Sequence, residues 1–157
     1  MSKIAPAKRI MSLKEPKMKM SKSHADPRSI IRISDSTHDI ATKIRLAVTD
    51  SLAGISYQPE ERPGVSNLLA IMSYLDDPGR SCEELADLHH EKSMRKFKDE
   101  VIRTTNHALA GIRERYNHLL EDAQSEYLDN VAKEGAVKAR DMAEHTMSNV
   151  RRVVGLS

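Results

Sequence analysis

The sequence predicts an all-α protein, a helical bundle preceded by one short strand and a loop. Apolar residues recur every three or four positions through most of the chain, which is the spacing of one helix face. Aromatic residues make up only 3% of the 157 residues and charged residues 31%, so a core must be built from Leu, Ile, Val, Met and Ala. Such a composition favours packed helices over aromatic-rich strands.

The amino-terminal segment, residues 1–34, is expected to contain little regular structure. We predict a short strand around Lys8 to Leu13 and then a loop to about Asp35. Three prolines and many Lys and Ser residues disfavour a helix here. The segment is therefore expected to bury little, and residues 35–157 to fold without it.

The first helix is predicted to begin at Ser36, which forms a capping-box-like pair with Asp39. An apolar residue then recurs at every fourth position, and Gly54 is expected to end the helix. The stripe consists of Ile40, Ile44, Val48 and Leu52.

Two more helices are predicted after a loop at residues 55–63. The first should end at the turn-forming sequence of residues 76–79, which is Asp-Asp-Pro-Gly. The second is short and begins with a capping box formed by Ser81 and Glu84. The apolar residues are Leu68, Leu69, Met72 and Leu75 in the first helix and Leu85 and Leu88 in the second.

Two long helices complete the prediction, one from about Ser93 to Leu120 and one from about Ser125 to Val154. Gly135 lies inside the second, where Gly is less favourable than Ala by roughly 1 kcal/mol and is often explained by close helix packing. The expected apolar faces are Met94, Phe97, Val101, Ala108, Ile112, Tyr116 and Leu119, and then Leu128, Val131, Met142, Val150 and Val153.

Positive charge is concentrated near the amino terminus. Residues 1–32 contain nine Lys or Arg against two acids, a net charge of +7, whereas residues 33–157 contain sixteen against twenty-one, a net charge of −5. The prolines argue against the amphipathic helix of a mitochondrial presequence.

The single Cys82 excludes an intramolecular disulfide. No apolar run approaches the roughly 20 residues that span a bilayer, so no membrane association is expected.

No metal site is expected. The best candidate ligands are His89 and His90, near Cys82, but neighbouring residues of a helix point about 100° apart, whereas zinc ligands on helices usually stand three or four residues apart. No Ser-His-Asp or Cys-His arrangement has supporting context, so independent hydrolase chemistry is not expected either.

The most informative segment is Lys19-Met20-Ser21-Lys22-Ser23, which spells KMSKS. Two ammonium groups three residues apart on a loop suit a departing pyrophosphate, because lysine is a compact charge on a flexible stem that can follow phosphate oxygens. Ser21 and Ser23 add hydroxyl donors. The competing interpretation is a solvated basic loop, so the flanking sequence decides between the two.

Segments on both sides of KMSKS match a known pattern. Pro-Ala-Lys-Arg-Ile-Met-Ser-Leu-Lys-Glu-Pro at 6–16 leads into it, and Asp-Pro at 26–27 follows it. Farther on stand Ala-Val-Thr-Asp-Ser at 47–51, Arg-Pro-Gly-Val-Ser-Asn-Leu-Leu at 62–69, and Glu-Gly-Ala at 134–136 with Lys-Ala at 138–139. Together these segments resemble the tryptophanyl-tRNA synthetases, a family of class I aminoacyl-tRNA synthetases. The resemblance runs from about Ile4 to Leu156.

The resemblance implies that residues 1–34 are the end of a Rossmann catalytic domain with its KMSKS loop, and that residues 35–157 are a helical anticodon-binding domain. It implies that Lys19 and Lys22 are the catalytic residues, stabilising pyrophosphate electrostatically. The implied ATP-binding set is Ile10, Lys19, Met20, Ser21, Lys22 and Ser23, with Ile10 against the adenine ring and Met20 as an apolar support. The implied substrates are ATP with Mg²⁺, tryptophan and tRNA(Trp).

Family members carry a HIGH-type ATP motif and a tryptophan pocket before this point, and neither is recognisable here. The chain is therefore expected to be a carboxyl-terminal portion that is inactive alone, with tryptophan binding and the homodimer contacts supplied by the missing half. The resemblance is to bacterial and organellar members, which implies a bacterial cytoplasm or a mitochondrial matrix. His24 departs from the acidic residue that commonly follows KMSKS.

A rival hypothesis belongs to a different class. The chain would then be a non-catalytic helical RNA-binding or interaction module that retains KMSKS as a relic. An upstream reading frame that encodes a HIGH-type motif would favour the ligase, and a verified start at Met1 would favour the module.

Overall fold

Five α-helices account for most of the regular structure. The structure, a computed structural model, describes residues 9–121 and 127–156. The helices are α1 (Thr37–Arg45), α2 (Pro63–Leu75), α3 (Cys82–His89), α4 (Met94–Glu121) and α5 (Tyr127–Val153), and a 3-10 helix at Pro27–Ser29 precedes them. The all-α prediction is confirmed. The chain divides into two compact units, Met1–Glu114 and Arg115–Ser157, and the division falls within α4.

A narrow hairpin stands where a strand was predicted. Lys8 lies outside the described residues, and Met11 pairs with Lys19 in an isolated antiparallel bridge. Two backbone hydrogen bonds flank the bridge, one between residues 12 and 18 (2.8 Å) and one between residues 20 and 10 (3.0 Å). A two-stranded ribbon is marginal without further strands beside it, so the pairing is shorter than the predicted strand.

The first unit is built around α2, whose residues Gly64 to Met72 are all buried. A helix without an exposed face over this stretch must be uncharged and mostly apolar, as its sequence is, and its two polar residues, Ser66 and Asn67, both form hydrogen bonds. Side chains from the other three helices of the unit complete the core cluster around it. They are Ile40 and Ile44 from α1, Leu85 from α3, and Phe97 and Val101 from α4.

The amino-terminal segment contributes to this core, and the expectation that it buries little is wrong. Leu13 is 1% exposed and Ile30 is 4% exposed. The backbone N–H of Leu13 donates to Ser29 O (2.9 Å), and Leu13 O accepts a hydrogen bond from Val48 N–H (2.8 Å). Fully burying two such side chains contributes roughly 3–6 kcal/mol. The described part of this segment, residues 9–34, therefore belongs to the fold of the first unit.

Helix α1 ends at Arg45, well before the predicted end at Gly54. The side chains of Val48 and Leu52, which were predicted to be buried, are 48% and 61% exposed. The N–H of Val48 is bonded to Leu13 O rather than to a carbonyl of its own helix. The apolar spacing thus continues beyond the end of the helix, where the backbone forms a tertiary hydrogen bond instead.

Both predicted capping boxes are present. In α1, Ser36 Oγ accepts from Asp39 N–H (3.0 Å) and Asp39 Oδ2 accepts from Ser36 N–H (3.2 Å). In α3, Ser81 Oγ accepts from Glu84 N–H (3.2 Å) and Glu84 Oε2 accepts from Ser81 N–H (2.6 Å). These bonds satisfy N–H groups that have no partner within the helix.

Of the predicted stripe residues in α2 and α3, Leu68, Leu69, Met72 and Leu85 are buried, Leu75 is partly buried and Leu88 is exposed.

The extents of α4 and α5 are close to the predictions, but their burial is not. Phe97 and Val101 of α4 are buried as expected. None of the described residues of α5 is buried, and Gly135 faces open space. The predicted start at Ser125 lies outside the described residues. A unit made from the end of one helix and a second helix has too little chain to enclose an apolar stripe. The exposed residues that were predicted to be buried are Ile112, Tyr116 and Leu119 in α4, and Leu128, Val131, Met142, Val150 and Val153 in α5.

Candidate functional site

The KMSKS segment begins inside the hairpin and continues as a loop. Lys19 stands opposite Met11 in the bridge, and Met20 N–H donates to Ile10 O at 3.0 Å. Ile10 and Met20 are partly buried and pack against the core of the first unit. The structure thus brings Ile10 and Met20 together, with Lys19 held beside them by backbone pairing.

Both lysines of the segment are exposed and unpaired. Within the part of the chain that the structure describes, the ammonium groups of Lys19 and Lys22 have no hydrogen bond or ion pair. A turn surrounds Lys22, because His24 N–H donates to Ser21 O (3.3 Å) and the hydroxyls of Ser21 and Ser23 lie 3.0 Å apart. The segment therefore presents two free cations and two hydroxyl groups at one end of the hairpin.

His24 connects the end of this loop to the hairpin turn. Its Nδ1 accepts a hydrogen bond from Asp26 N–H (3.0 Å), so the ring proton lies on Nε2, which donates to Glu15 Oε1 (3.0 Å). Asp26 in turn caps the 3-10 helix, and its hydrogen bonds to Arg28 lower the pKa of its carboxyl group. His24 thus ties the end of the KMSKS segment to the turn of the hairpin.

A cleft of about 500 Å³ lies beside the hairpin, against α2. Its lining includes the cations Arg9 and Lys17, and also Tyr57, whose pKa is raised by burial. None of the KMSKS residues lines this cleft. This cleft and the KMSKS segment are therefore lined by different residues.

The neighbouring histidines occupy different environments. His89 is buried, its ring centroid lies 5.9 Å from that of Phe97, and both ring nitrogens lack a hydrogen-bond partner among the described residues. Burial lowers the pKa of His89, which favours the neutral ring, whereas His90 is exposed. Within residues 9–121 and 127–156, no group of three or more His, Cys, Asp or Glu side chains could hold a metal ion.

Sequence reasoning missed the role of Arg62, which organises the loop before α2. Its side chain is 3% exposed and forms a bidentate pair with Asp50, with distances of 2.7 Å and 3.0 Å. The remaining guanidinium hydrogens donate to Leu52 O (3.2 Å), Gly54 O (3.1 Å) and Ser56 Oγ (2.9 Å). Hydrogen bonding to Arg62 lowers the pKa of Asp50. Arg62 and Asp50 both lie in segments that carry the family resemblance, residues 62–69 and 47–51, but nothing in the sequence pairs the two residues.

In the described residues, no helix is both long and apolar enough to cross a membrane.

Comparison with known proteins gives a consistent match. The profile of the tRNA synthetases class I (W and Y) matches residues 3–110. The tryptophan–tRNA ligase of Halalkalibacterium halodurans is 39% identical over 148 residues, which are 94% of this chain and 43% of the relative. The tryptophan–tRNA ligase of Enterococcus faecalis is 41% identical over 148 residues, with the same two shares. The chain therefore spans less than half the length of these bacterial relatives.

The fold matches as well. A crystal structure of tryptophanyl-tRNA synthetase from Campylobacter jejuni, complexed with ADP and tryptophan, superposes with a TM-score of 0.68 and 26% sequence identity. The match covers 96% of this chain and 44% of that one.

Proposed function

Because this chain belongs to the class I tRNA synthetases of the tryptophan and tyrosine family, we propose that it forms the part of a tryptophan–tRNA ligase that stabilises departing pyrophosphate and binds the tRNA anticodon. The tryptophan assignment rests on the curated relatives, which are tryptophan–tRNA ligases. The observation that carries the proposal is the pair of unpaired ammonium groups, Lys19 and Lys22, at the end of a backbone-paired hairpin.

In the proposed reaction, the carboxylate of tryptophan attacks the α-phosphorus of ATP. The bond from that phosphorus to the bridging oxygen breaks, and negative charge develops on the leaving pyrophosphate. Lys19 and Lys22 stabilise this charge as electrostatic groups and transfer no proton. Since neither ammonium group has an ion pair with any residue that the structure describes, both can move onto the phosphate oxygens as the charge develops.

The other four residues of the set support this role. Ser21 and Ser23 have hydroxyls close enough to donate to one phosphate group, since they lie 3.0 Å apart. Ile10 would lie against the adenine ring, and Met20 packs against the core and so supports the loop. Backbone pairing brings Ile10 beside Met20, so the apolar residues of the proposed site lie next to its lysines.

The described residues contain no group of three or more His, Cys, Asp or Glu side chains that could hold a metal ion such as Mg²⁺. No residue of this chain is assigned to Mg²⁺. In this proposal, the tryptophan pocket, the first ATP motif and the homodimer contacts are supplied by an amino-terminal portion that corresponds to the part of the relatives this chain does not cover. The bacterial relatives support a bacterial cytoplasm over a mitochondrial matrix as the site of action.

Residues 1–34 would then act with the catalytic domain, and residues 35–157 would form the anticodon-binding domain. Residues 33–157 have a net charge of −5, so contacts to tRNA(Trp) must come from local groups of basic side chains. Anticodon bases are unstacked, and proteins read such bases through their edges and faces.

The proposal is tested by fusing this chain to the amino-terminal portion of the Halalkalibacterium halodurans ligase. The fused enzyme should attach tryptophan to tRNA(Trp) and discriminate against the same tRNA with a scrambled anticodon. The isolated chain should catalyse no tryptophan-dependent pyrophosphate exchange above its Lys22→Ala variant. Equal charging of both tRNAs would reject the anticodon assignment, and a folded but inactive fusion would favour the relic module.

A further inference from the structure

A side-chain amide from α2 occupies one edge of the hairpin. Met11 N–H donates to Asn67 Oδ1 (2.9 Å), and Asn67 Nδ2 donates to Met11 O (2.8 Å). The side chain of Asn67 carries the same donor and acceptor as a peptide group. It therefore gives Met11 the two hydrogen bonds that a residue of a neighbouring strand would give.

The backbone of residues 10–13 bonds alternately to its two sides. Residues 10 and 12 bond to the arm of the hairpin that carries Lys19. On the opposite side, Leu13 bonds to the backbones of Ser29 and Val48. Both backbone groups of Met11 on that side are satisfied by Asn67.

This arrangement connects Asn67 to the KMSKS segment through one residue. Met11 stands directly opposite Lys19 in the bridge, so the position of Met11 sets the position of the Lys19 backbone. Asn67 is itself 5% exposed and lies in the stretch of α2 that is buried on all sides. A rigid helix thus holds one edge of the hairpin while the other edge carries the lysine.

We propose that Asn67 is a positioning residue that keeps the KMSKS hairpin in register and so holds Lys19 where pyrophosphate departs. This inference rests on the proposed function. A slip of one residue would turn the side chain of Lys19 to the opposite face of the hairpin. Asn67 opposes such a slip, because its amide bonds both the N–H and the C=O of the same residue, Met11.

The first test uses the 157-residue chain and needs no activity. In Asn67→Leu, a variant of similar volume, the amides of Ser12 and Met20 should exchange with solvent at least about tenfold faster, since two buried hydrogen bonds are lost. The matched control is Ser66→Ala, which removes a buried hydroxyl of α2 that accepts from Gln58 N–H (3.0 Å) and, among the described residues, forms no hydrogen bond to the hairpin. In the control, the hairpin amides should stay as protected from exchange with solvent as they are in the parent chain.

The second test measures tryptophan-dependent pyrophosphate exchange by the fused enzyme. Asn67→Leu should lower kcat by roughly tenfold with little change in the KM for tryptophan, because only the transition-state contact is misplaced. Ser66→Ala should keep kcat near the parent value. Unchanged kcat in Asn67→Leu, or equal loss of protection in the hairpin and in α2, would overturn the inference. If the parent fusion is inactive, the proposed function fails instead, and the hydrogen-exchange comparison still decides whether Asn67 holds the hairpin.

Discussion

Single residues hold the loops of the first unit in place, and Arg62 shows this most clearly. Its buried guanidinium uses its planar arrangement of donors to bind the Asp50 carboxylate and three oxygen atoms of the following loop. Lysine has one compact ammonium group and cannot reproduce this geometry. The loop between α1 and α2 therefore depends on arginine in particular.

We expect Arg62→Lys to lower the free energy of unfolding by about 2–4 kcal/mol. The variant loses buried hydrogen bonds, and Asp50 keeps a positively charged partner but loses the bidentate contact. Arg45→Lys is the matched control, since the Arg45 side chain is 63% exposed and its ion pair with Asp99 has a distance of 3.4 Å. The control should change stability by less than about 0.5 kcal/mol. Urea denaturation of both variants measures the difference, and equal effects would contradict the role given to Arg62.

Residue-level prediction from the sequence succeeded where the signal is local. The Ser36 and Ser81 capping boxes form within three residues and were predicted correctly. Asn67 and Arg62 were not given roles, because their partners are set by the tertiary fold. Asn67 and Met11 are 56 positions apart. No spacing rule connects such residues before the fold is known.

At the level of elements, the early end of α1 shows how a close approach between segments overrides a periodic pattern. The carbonyl of Val48 lies against Gly64 at the start of α2, so closely that a side-chain carbon on Gly64 would overlap it. Lys98 adds a hydrogen bond to Ala47 O (2.7 Å), and burial lowers the pKa of its ammonium group. The chain after Arg45 is therefore shaped by its contacts with α2 and α4.

Gly64→Ala should destabilise the chain by roughly 2–4 kcal/mol, since the atom in its way belongs to the backbone and cannot move aside easily. Gly111→Ala is the matched control, because Gly111 lies in α4 with open space around it and should gain about 0.5–1 kcal/mol of stability. Thermal melting followed by helical circular dichroism gives both values. Stabilisation by Gly64→Ala would refute the close approach.

At the level of the whole molecule, composition and periodicity predicted the all-α class and nearly the full extents of α2 and α4. They did not predict which apolar stripes would be buried against another segment. Leu13 and Ile30, from the segment expected to bury little, lie in the core, whereas the predicted stripe of α5 is exposed. Whether an apolar helix face is buried depends on which other segment packs against it. The spacing of apolar residues identifies the face but not that segment.

Removing residues 1–34 should therefore lower the stability of the first unit and make its unfolding less cooperative. In the intact chain, Leu13→Ala should cost about 2–5 kcal/mol, because it leaves a cavity in the core. Met18→Ala, at a side chain that is 55% exposed in the same hairpin, should change stability by less than about 0.5 kcal/mol. Urea midpoints of the truncated chain and the two variants test this. A truncated chain as stable as the intact one would show that the hairpin is dispensable.

The most direct test of the central claim is the effect of Lys22→Ala on tryptophan activation by the fused enzyme. Pyrophosphate exchange should slow by on the order of a hundredfold while tryptophan affinity changes little, since Lys22 acts on charge that appears during the reaction. Lys22→Arg should restore only part of the rate. Lys17→Ala, which removes an exposed charge from the same hairpin outside KMSKS, should have a much smaller effect. Equal losses of rate and tryptophan affinity in Lys22→Ala, or an equal loss of rate in Lys17→Ala, would contradict the account.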